Sequence, residues 1–124
     1  MRVLLSIKPE FVEKIFSGEK LYEYRKAAFK NEGISSIVIY STMPVGKIVG
    51  EFKFKKIHID SPEIIWNETK QHSGISKKFF FDYFKNRTEA CAIEIEEVTK
   101  YEEPLDPHTI FPRFTAPQSF CYLD

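Results

Sequence analysis

Gly18 separates two hydrophobic rhythms, and that change of period constrains the fold more than any other feature of the chain. Before it, Phe11, Val12, Ile15 and Phe16 recur at one, three and four residues, one apolar face of a helix over 9–17. Pro9 suits the first helical position, where no backbone donor is needed, and Glu10 and Glu13 suit the positive end of the helix. Ser17-Gly18 supplies a left-handed stop. Beyond it the aromatic and branched residues favour a strand, whose side chains alternate between faces. Glu23 and Arg25 then share a face, while Lys20 has the wrong parity to join them unless it lies in the turn or a bulge intervenes. The spacing points to a charged cluster at a helix-to-strand junction. Its alternative is a surface strand carrying an exposed Arg–Glu pair, which contributes little.

The rest of the chain reads as short alternating segments. Residues 2–7 form a first strand, with Ser6 and Lys8 at its end. Residues 36–41 form an interior strand with Ile37 and Ile39 on one face and Val38 and Tyr40 on the other. A turn over 42–46 leads into a long strand over 47–59. In it a bulge near Lys55-Lys56 places Phe52, Phe54, Ile57 and Ile59 on one side. Lys53, Lys55 and Lys56 then make a basic edge, read as a solvated face because the chain is neutral. Ser61-Pro62-Glu63 opens a helix running to about residue 71, and Ser76 caps another over 77–85. Phe79, Phe80, Tyr83 and Phe84 form the buried face of the second helix and are assigned to the core. Residues 89–98 alternate with Cys91, Ile93 and Ile95 inward. A short strand over 101–105, a proline-rich irregular stretch over 106–118 and a last strand over 119–123 complete the chain. Strands outnumber helices and the helices fall in two groups, which predicts an α+β barrel with helices covering its ends.

At 124 residues, with 43% hydrophobic content, the chain is expected to form one domain over 1–124 with a core of its own. Lys plus Arg and Asp plus Glu number 18 each, which argues against strong non-specific nucleic-acid binding but leaves room for a small basic cleft. No apolar run approaches a membrane span and no signal-peptide pattern opens the chain, so no membrane partner and a cytoplasmic location are expected. Cys91 and Cys121 cannot make a disulfide framework and read as core thiols. His58, His72, His108 and the two cysteines lack paired metal-ligand spacing, so neither a metal nor a cofactor is expected. A phosphate-cradling Gly-rich loop and a serine elbow are both missing, which sets aside P-loop and serine-hydrolase chemistry.

Gly18-x-Lys20-x-x-Glu23-x-Arg25 matches the G-x-K-x-x-E-x-R signature of the ASCH domains, a branch of the PUA-like superfamily. Leu5-Ser6-Ile7-Lys8-Pro9, Ile39-Tyr40-Ser41, Val49-Gly50-Glu51-Phe52, Gly74-Ile75-Ser76 and Pro117-Gln118-Ser119-Phe120 also resemble stretches of compact single-domain members, in the right order. The resemblance implies a mixed, mostly antiparallel β-barrel with a cleft between barrel and helices, lined by the signature residues. Candidate ligand-binding residues are Ser6, Lys8, Lys20, Tyr22, Glu23, Arg25, Tyr40, Ser41, Glu68, His72, Gln118 and Ser119. A lysine, an arginine, a carboxylate and aromatic rims suit a nucleobase with its phosphate. The family implies binding of RNA or of a modified nucleoside or nucleotide, with a regulatory role in transcription or translation. An alternative is hydrolysis with Lys20 and Glu23 as catalytic residues. One ASCH branch hydrolyses 4-acetylcytidine with a lysine, a threonine and a glutamate; here Lys20 matches the lysine and Glu23 stands at the threonine. The distal glutamate falls near Gln71-His72, with Glu68 one helical turn earlier. Another branch includes ribonucleases, where Lys20 would act with Tyr22 or Tyr40.

Overall fold

The computed structural model describes residues 1–30, 33–111, 113–117 and 120–123. Its elements run β1 (Arg2–Ile7), α1 (Pro9–Ser17), β2 (Tyr22–Arg25), β3 (Ser36–Ser41), β4 (Lys47–Asp60), α2 (Pro62–Thr69), α3 (Lys77–Tyr83), β5 (Ala90–Leu105), α4 (Pro107–Ile110) and β6 (Phe120–Leu123). A single turn of 3₁₀ helix, Lys70–His72, extends α2. The stops and caps read from the sequence are present. Gly18 takes a left-handed conformation at φ 85°, and Ser61 and Ser76 accept hydrogen bonds from the amides of Ile64 and Phe79.

The strands form one six-stranded sheet in the order β2-β5-β4-β3-β1-β6, antiparallel except for the β1–β3 pair. The fold is therefore α+β, but the sheet is open. Among the described residues no ladder joins its edges, β2 and β6, so the expected barrel closure is not seen in the hydrogen-bonded strands. A side chain bridges part of that gap. β6 pairs only with residues 2–5 of β1, and beyond it Arg25 Nη2 at the end of β2 donates to the carbonyl of Ser6 at 2.7 Å.

Three apolar clusters hold the sheet. On its inner face Val3, Leu5, Ile7, Ile37, Ile39, Phe52, Ile93 and Ile95 pack with Val12 and Ile15 of α1. Gly50 lets α1 approach, since a Cβ there would lie 2.5 Å from the Thr99 carbonyl and 2.9 Å from the Phe16 ring. On the other face of β2 and β5, Tyr24, Ala90 and Ala92 pack with Ile65 and Trp66 of α2 and with Phe80 and Phe84. Leu4, Val38, Tyr40, Ile48 and Leu123 make a third cluster, against which Phe111 and Phe114 pack.

Several expectations need correction. The register of β4 shifts between Phe54 and Ile57, where a bulge was expected, and Phe52, Phe54 and Ile57 do face the inner cluster. Ile59 does not: it keeps the parity of Ile57 but is 51% exposed, because β4 has run past the core. Residues 101–105 are no separate strand but the end of β5, paired to β4 through a further register shift. The stretch after β5, read as irregular, contains α4, capped by Asp106. Lys53, Lys55 and Lys56 are exposed, the first two meeting Glu97 and Glu94 at 3.3 and 3.9 Å, so the basic edge is a solvated face as expected. Cys91 is buried and Cys121 half-buried, both free. Among the described residues no helix is long and apolar enough to cross a membrane, and no cluster of three His, Cys, Asp or Glu could hold a metal ion.

Candidate functional site

The ends of β1 and β2, the first turns of α1 and the face of α3 enclose a pocket of about 350 Å³. Lys20 lies in the turn between Gly18 and β2, so it escapes the parity of the strand and meets Glu23 and Arg25 from beside it. It is 1% exposed, and its Nζ donates to the carbonyl of Ser73 at 2.8 Å. The amine also lies over the rings of Tyr24 and Phe11, at 4.7 and 5.3 Å from their centroids. Gly74 holds the stem. At φ +67°, a Cβ on it would stand 2.6 Å from Lys20 Cβ and 2.8 Å from Cγ, so only glycine accommodates both the backbone and the lysine. Lys14 Nζ fixes the same loop by donating to the Gly74 carbonyl at 3.1 Å.

Glu23 and Arg25 share a face of β2, as alternation requires, and pair at 3.0 Å with side chains 8% and 9% exposed. The same guanidinium nitrogen reaches the Ser6 carbonyl, which makes Arg25 the tie between the two strand ends. Burial lowers the pKa of Lys20 to about 8. Glu23 works against that shift, and Lys14 and Arg25 add to it. On the opposite face of β2 the Tyr24 hydroxyl donates to Thr69 Oγ1 at 2.7 Å, and Thr69 donates in turn to the Ile65 carbonyl. Burial pushes the Tyr24 phenol well above its ordinary range, so it stays protonated and its ring stays a neutral wall beneath the lysine.

The outer wall is aromatic. Phe79 and Tyr83 of α3 lie nearly parallel, 6.5 Å between centroids, and Phe11 meets Phe79 edge-on at 5.2 Å. Lys8 Nζ sits 5.1 Å from the Phe79 centroid. At the base of this wall Ser6 Oγ is buried without a hydrogen-bond partner among the described residues.

A family model described as Domain of unknown function (DUF365) matches residues 1–113. Crystal structures of ASCH from Zymomonas mobilis superpose with a TM-score of 0.91 at 26% identity for the parent protein, covering 99% of this chain and 87% of that one. A tyrosine-to-phenylalanine variant of the same protein gives 0.90 at 25%. This chain is an ASCH-domain protein of the DUF365 family. The protein named ASCH domain-containing ribonuclease, from Zymomonas mobilis, is 26% identical over 97% of this chain and 82% of its own length. Two longer proteins of Ureaplasma parvum also match 98% of the chain: ATP synthase subunit alpha at 33% identity and large ribosomal subunit protein uL22 at 28%. The chain spans only 15% and 39% of their respective lengths.

In this ASCH domain the pocket gathers five of the twelve residues singled out from the sequence: Ser6, Lys8, Lys20, Glu23 and Arg25. Tyr22, Tyr40, Ser41, Glu68 and His72 do not line it. Tyr22 lies on the other face of β2, edge-on to His58 at 6.1 Å. Tyr40 belongs to the third cluster, against Phe114, and Ser41 is buried away from the pocket. Glu68 and His72 are exposed, because α2 packs its Ile65, Trp66 and Thr69 face on the Tyr24 side of β2, opposite Glu23 and Arg25. Gln118 and Ser119 lie outside the described residues. The sequence reading missed Phe11, Tyr24, Ile75, Phe79 and Tyr83 as pocket walls. The sequence assigns Phe79 and Tyr83 to the core, but only the adjacent stripe, Phe80 and Phe84, is fully buried. The signal was the width of the aromatic face: five aromatics in six residues exceed what one stripe buries.

Proposed function

We propose that this ASCH-domain protein binds RNA or a nucleotide, modified or not, in the pocket lined by Lys20, Glu23 and Arg25. The observation that carries the reading is the wholly buried Lys20, held at the pocket wall between two rings and beside a buried Glu–Arg pair. Three cations, Lys8, Lys20 and Arg25, and one carboxylate, Glu23, line the pocket beside aromatic rings, and a nucleotide brings an anion and a π face to match them. The volume suits a small ligand, Phe79 and Tyr83 offer faces for a base, and Lys8, Lys20 and Arg25 suit its phosphate. The relative named as a ribonuclease supports RNA over other anions. The proposal extends to a single domain over 1–124 that acts in the cytoplasm as a regulator of transcription or translation.

A second reading, cleavage of RNA, draws on the depressed pKa of Lys20. An amine near pKa 8 is partly neutral at physiological pH and serves as a general base toward the attacking hydroxyl, with Arg25 balancing charge on the phosphate oxygens. Hydrolysis of 4-acetylcytidine draws no support from Glu68 or His72, which lie elsewhere.

Lys20→Ala and Lys20→Arg separate the readings, because arginine keeps the charge but cannot give up its proton. Anisotropy titration of labelled single-stranded RNA and a turnover assay on the same RNA and on 4-acetylcytidine are the measurements. Binding alone predicts no turnover by wild type, affinity within about tenfold for Lys20→Arg, and a larger loss for Lys20→Ala. Catalysis predicts that both variants lose at least about a hundredfold in turnover. Wild type that binds neither RNA nor nucleotide overturns the proposal.

A further inference from the structure

A second cavity, of about 440 Å³, opens past the end of β2 between the turn after α3 and the far end of β4. Nothing in the site already described uses it. Its apolar lining is Ala27, Ala28, Cys91 and Ile59, and Ile59 is 51% exposed. Among the described residues its rim carries Lys26 and Arg87, with Asn86 and Thr88 as uncharged polar groups and Glu89 as the single acid. One acid against two bases leaves the rim net positive.

The turn after α3 sets this rim. Asn86 takes φ 64°, a left-handed conformation that asparagine tolerates better than most residues, and the amide of Arg87 donates back to the Phe84 carbonyl at 3.0 Å. Arg87 is thereby folded across to β2, where its Nη2 donates to the Lys26 carbonyl at 3.0 Å.

The two cavities share a wall. Lys26, on the rim of the second, places its Nζ 4.8 Å from the centroid of Tyr83, which lines the first. Lys8 stands over Phe79, the other ring of the same aromatic pair. Cation, ring, ring and cation thus follow one another from the first cavity to the second. Such alternation suits a single-stranded nucleic acid, whose bases meet rings while its phosphates meet ammonium groups.

We infer that the second cavity is the subsite for the neighbouring nucleotide of a single-stranded RNA whose first nucleotide occupies the Lys20 pocket, with Lys26 and Arg87 holding the phosphodiester at the passage and Ile59 flooring the next base or ribose. The inference rests on the nucleotide-binding reading of the Lys20 pocket and names its ligand as an oligonucleotide rather than a free nucleoside. It also fits the neutral chain: cations are not in excess overall, and two of them stand on the rim that adjoins the first pocket.

The test compares a labelled mononucleotide with a labelled short single-stranded oligoribonucleotide, titrated against wild type, the double variant Lys26→Ala/Arg87→Ala, and Ile59→Glu. All three side chains are exposed, so the variants fold, which circular dichroism checks. Wild type is expected to prefer the oligonucleotide by at least about tenfold. The double variant is expected to collapse that ratio, with a log–log salt slope shallower by about 0.7 for the one single-strand phosphate that Lys26 and Arg87 hold. Ile59→Glu, which places a carboxylate in the subsite, is expected to reduce the ratio as well. Equal affinity of wild type for the two probes, or an unchanged ratio in the double variant, overturns the subsite while leaving the first pocket's reading intact. Failure of both probes to bind wild type overturns that reading and this inference with it.

Discussion

Two lysine-bearing stretches of this ASCH domain look alike as sequence and differ entirely as structure. Lys20-Leu21-Tyr22-Glu23-Tyr24-Arg25 and Lys53-Phe54-Lys55-Lys56 both set cations among aromatics in a strand-forming context. Along β4, Lys53 and Lys55 leave 62% and 67% of their side chains in water and touch glutamates of β5 through solvent-screened pairs. Around β2, Lys20 is 1% exposed and the Glu23–Arg25 pair is almost as deep. Charge count does not separate the two regions. Desolvation does, since a cation taken from water depends on each neighbour that replaces it, and only the β2 cluster has such neighbours built in.

The comparison breaks most readily at Glu23. Glu23→Ala leaves Lys20 and Arg25 as two buried cations without their carboxylate, and the expected cost is about 3–5 kcal/mol in urea unfolding at neutral pH. A cost below about 1 kcal/mol would place the β2 cluster with the surface pairs.

A pH series sharpens it next. The folded Lys20 titrates near 8 and the unfolded one at 10.5, so between those values the unfolded chain holds more protons and stability rises with pH. Below about 8 both states are protonated and the buried ammonium costs the fold on the order of 3 kcal/mol. Tyr22, Tyr24, Tyr83, Tyr101, Cys91 and Cys121, all raised by burial, act the other way once their unfolded forms ionise, so the wild type alone is no clean readout. Subtracting Lys20→Met cancels them. The stability of wild type relative to Lys20→Met should climb from pH 8 to 10.5; a flat difference would mean that Lys20 is not desolvated.

The smallest effect belongs to β4. Lys53→Ala and Lys55→Ala should each change stability by less than about 1 kcal/mol and leave RNA affinity within about twofold. A larger drop in affinity would move the binding surface from the β2 pocket to that edge.

The sequence by itself determined the local elements. α1 with its proline start and Gly18 stop, the faces of β3, the register shift near Lys55 and the serine caps of α2 and α3 are all legible, because period, cap and stop depend on residues within a few positions of one another. The placing of Glu23 and Arg25 on one face, with Lys20 released into the turn, belongs to the same class. Tertiary structure decided which face met which. Phe79 and Phe80 differ by one position on α3, yet one lines a pocket and the other sits in the core, as the roll of α3 against β2 dictates. Glu68 and His72 left the site because α2 packed on the far face of β2, and Ile59 left the core because β4 outran it. The open sheet, bridged at Ser6 by a guanidinium rather than a ladder, is likewise a decision of the assembled chain. Periodicity states which side chains travel together; only the packing of residues far apart in the chain fixes where each set arrives, because burial is a property of neighbours that no short stretch contains.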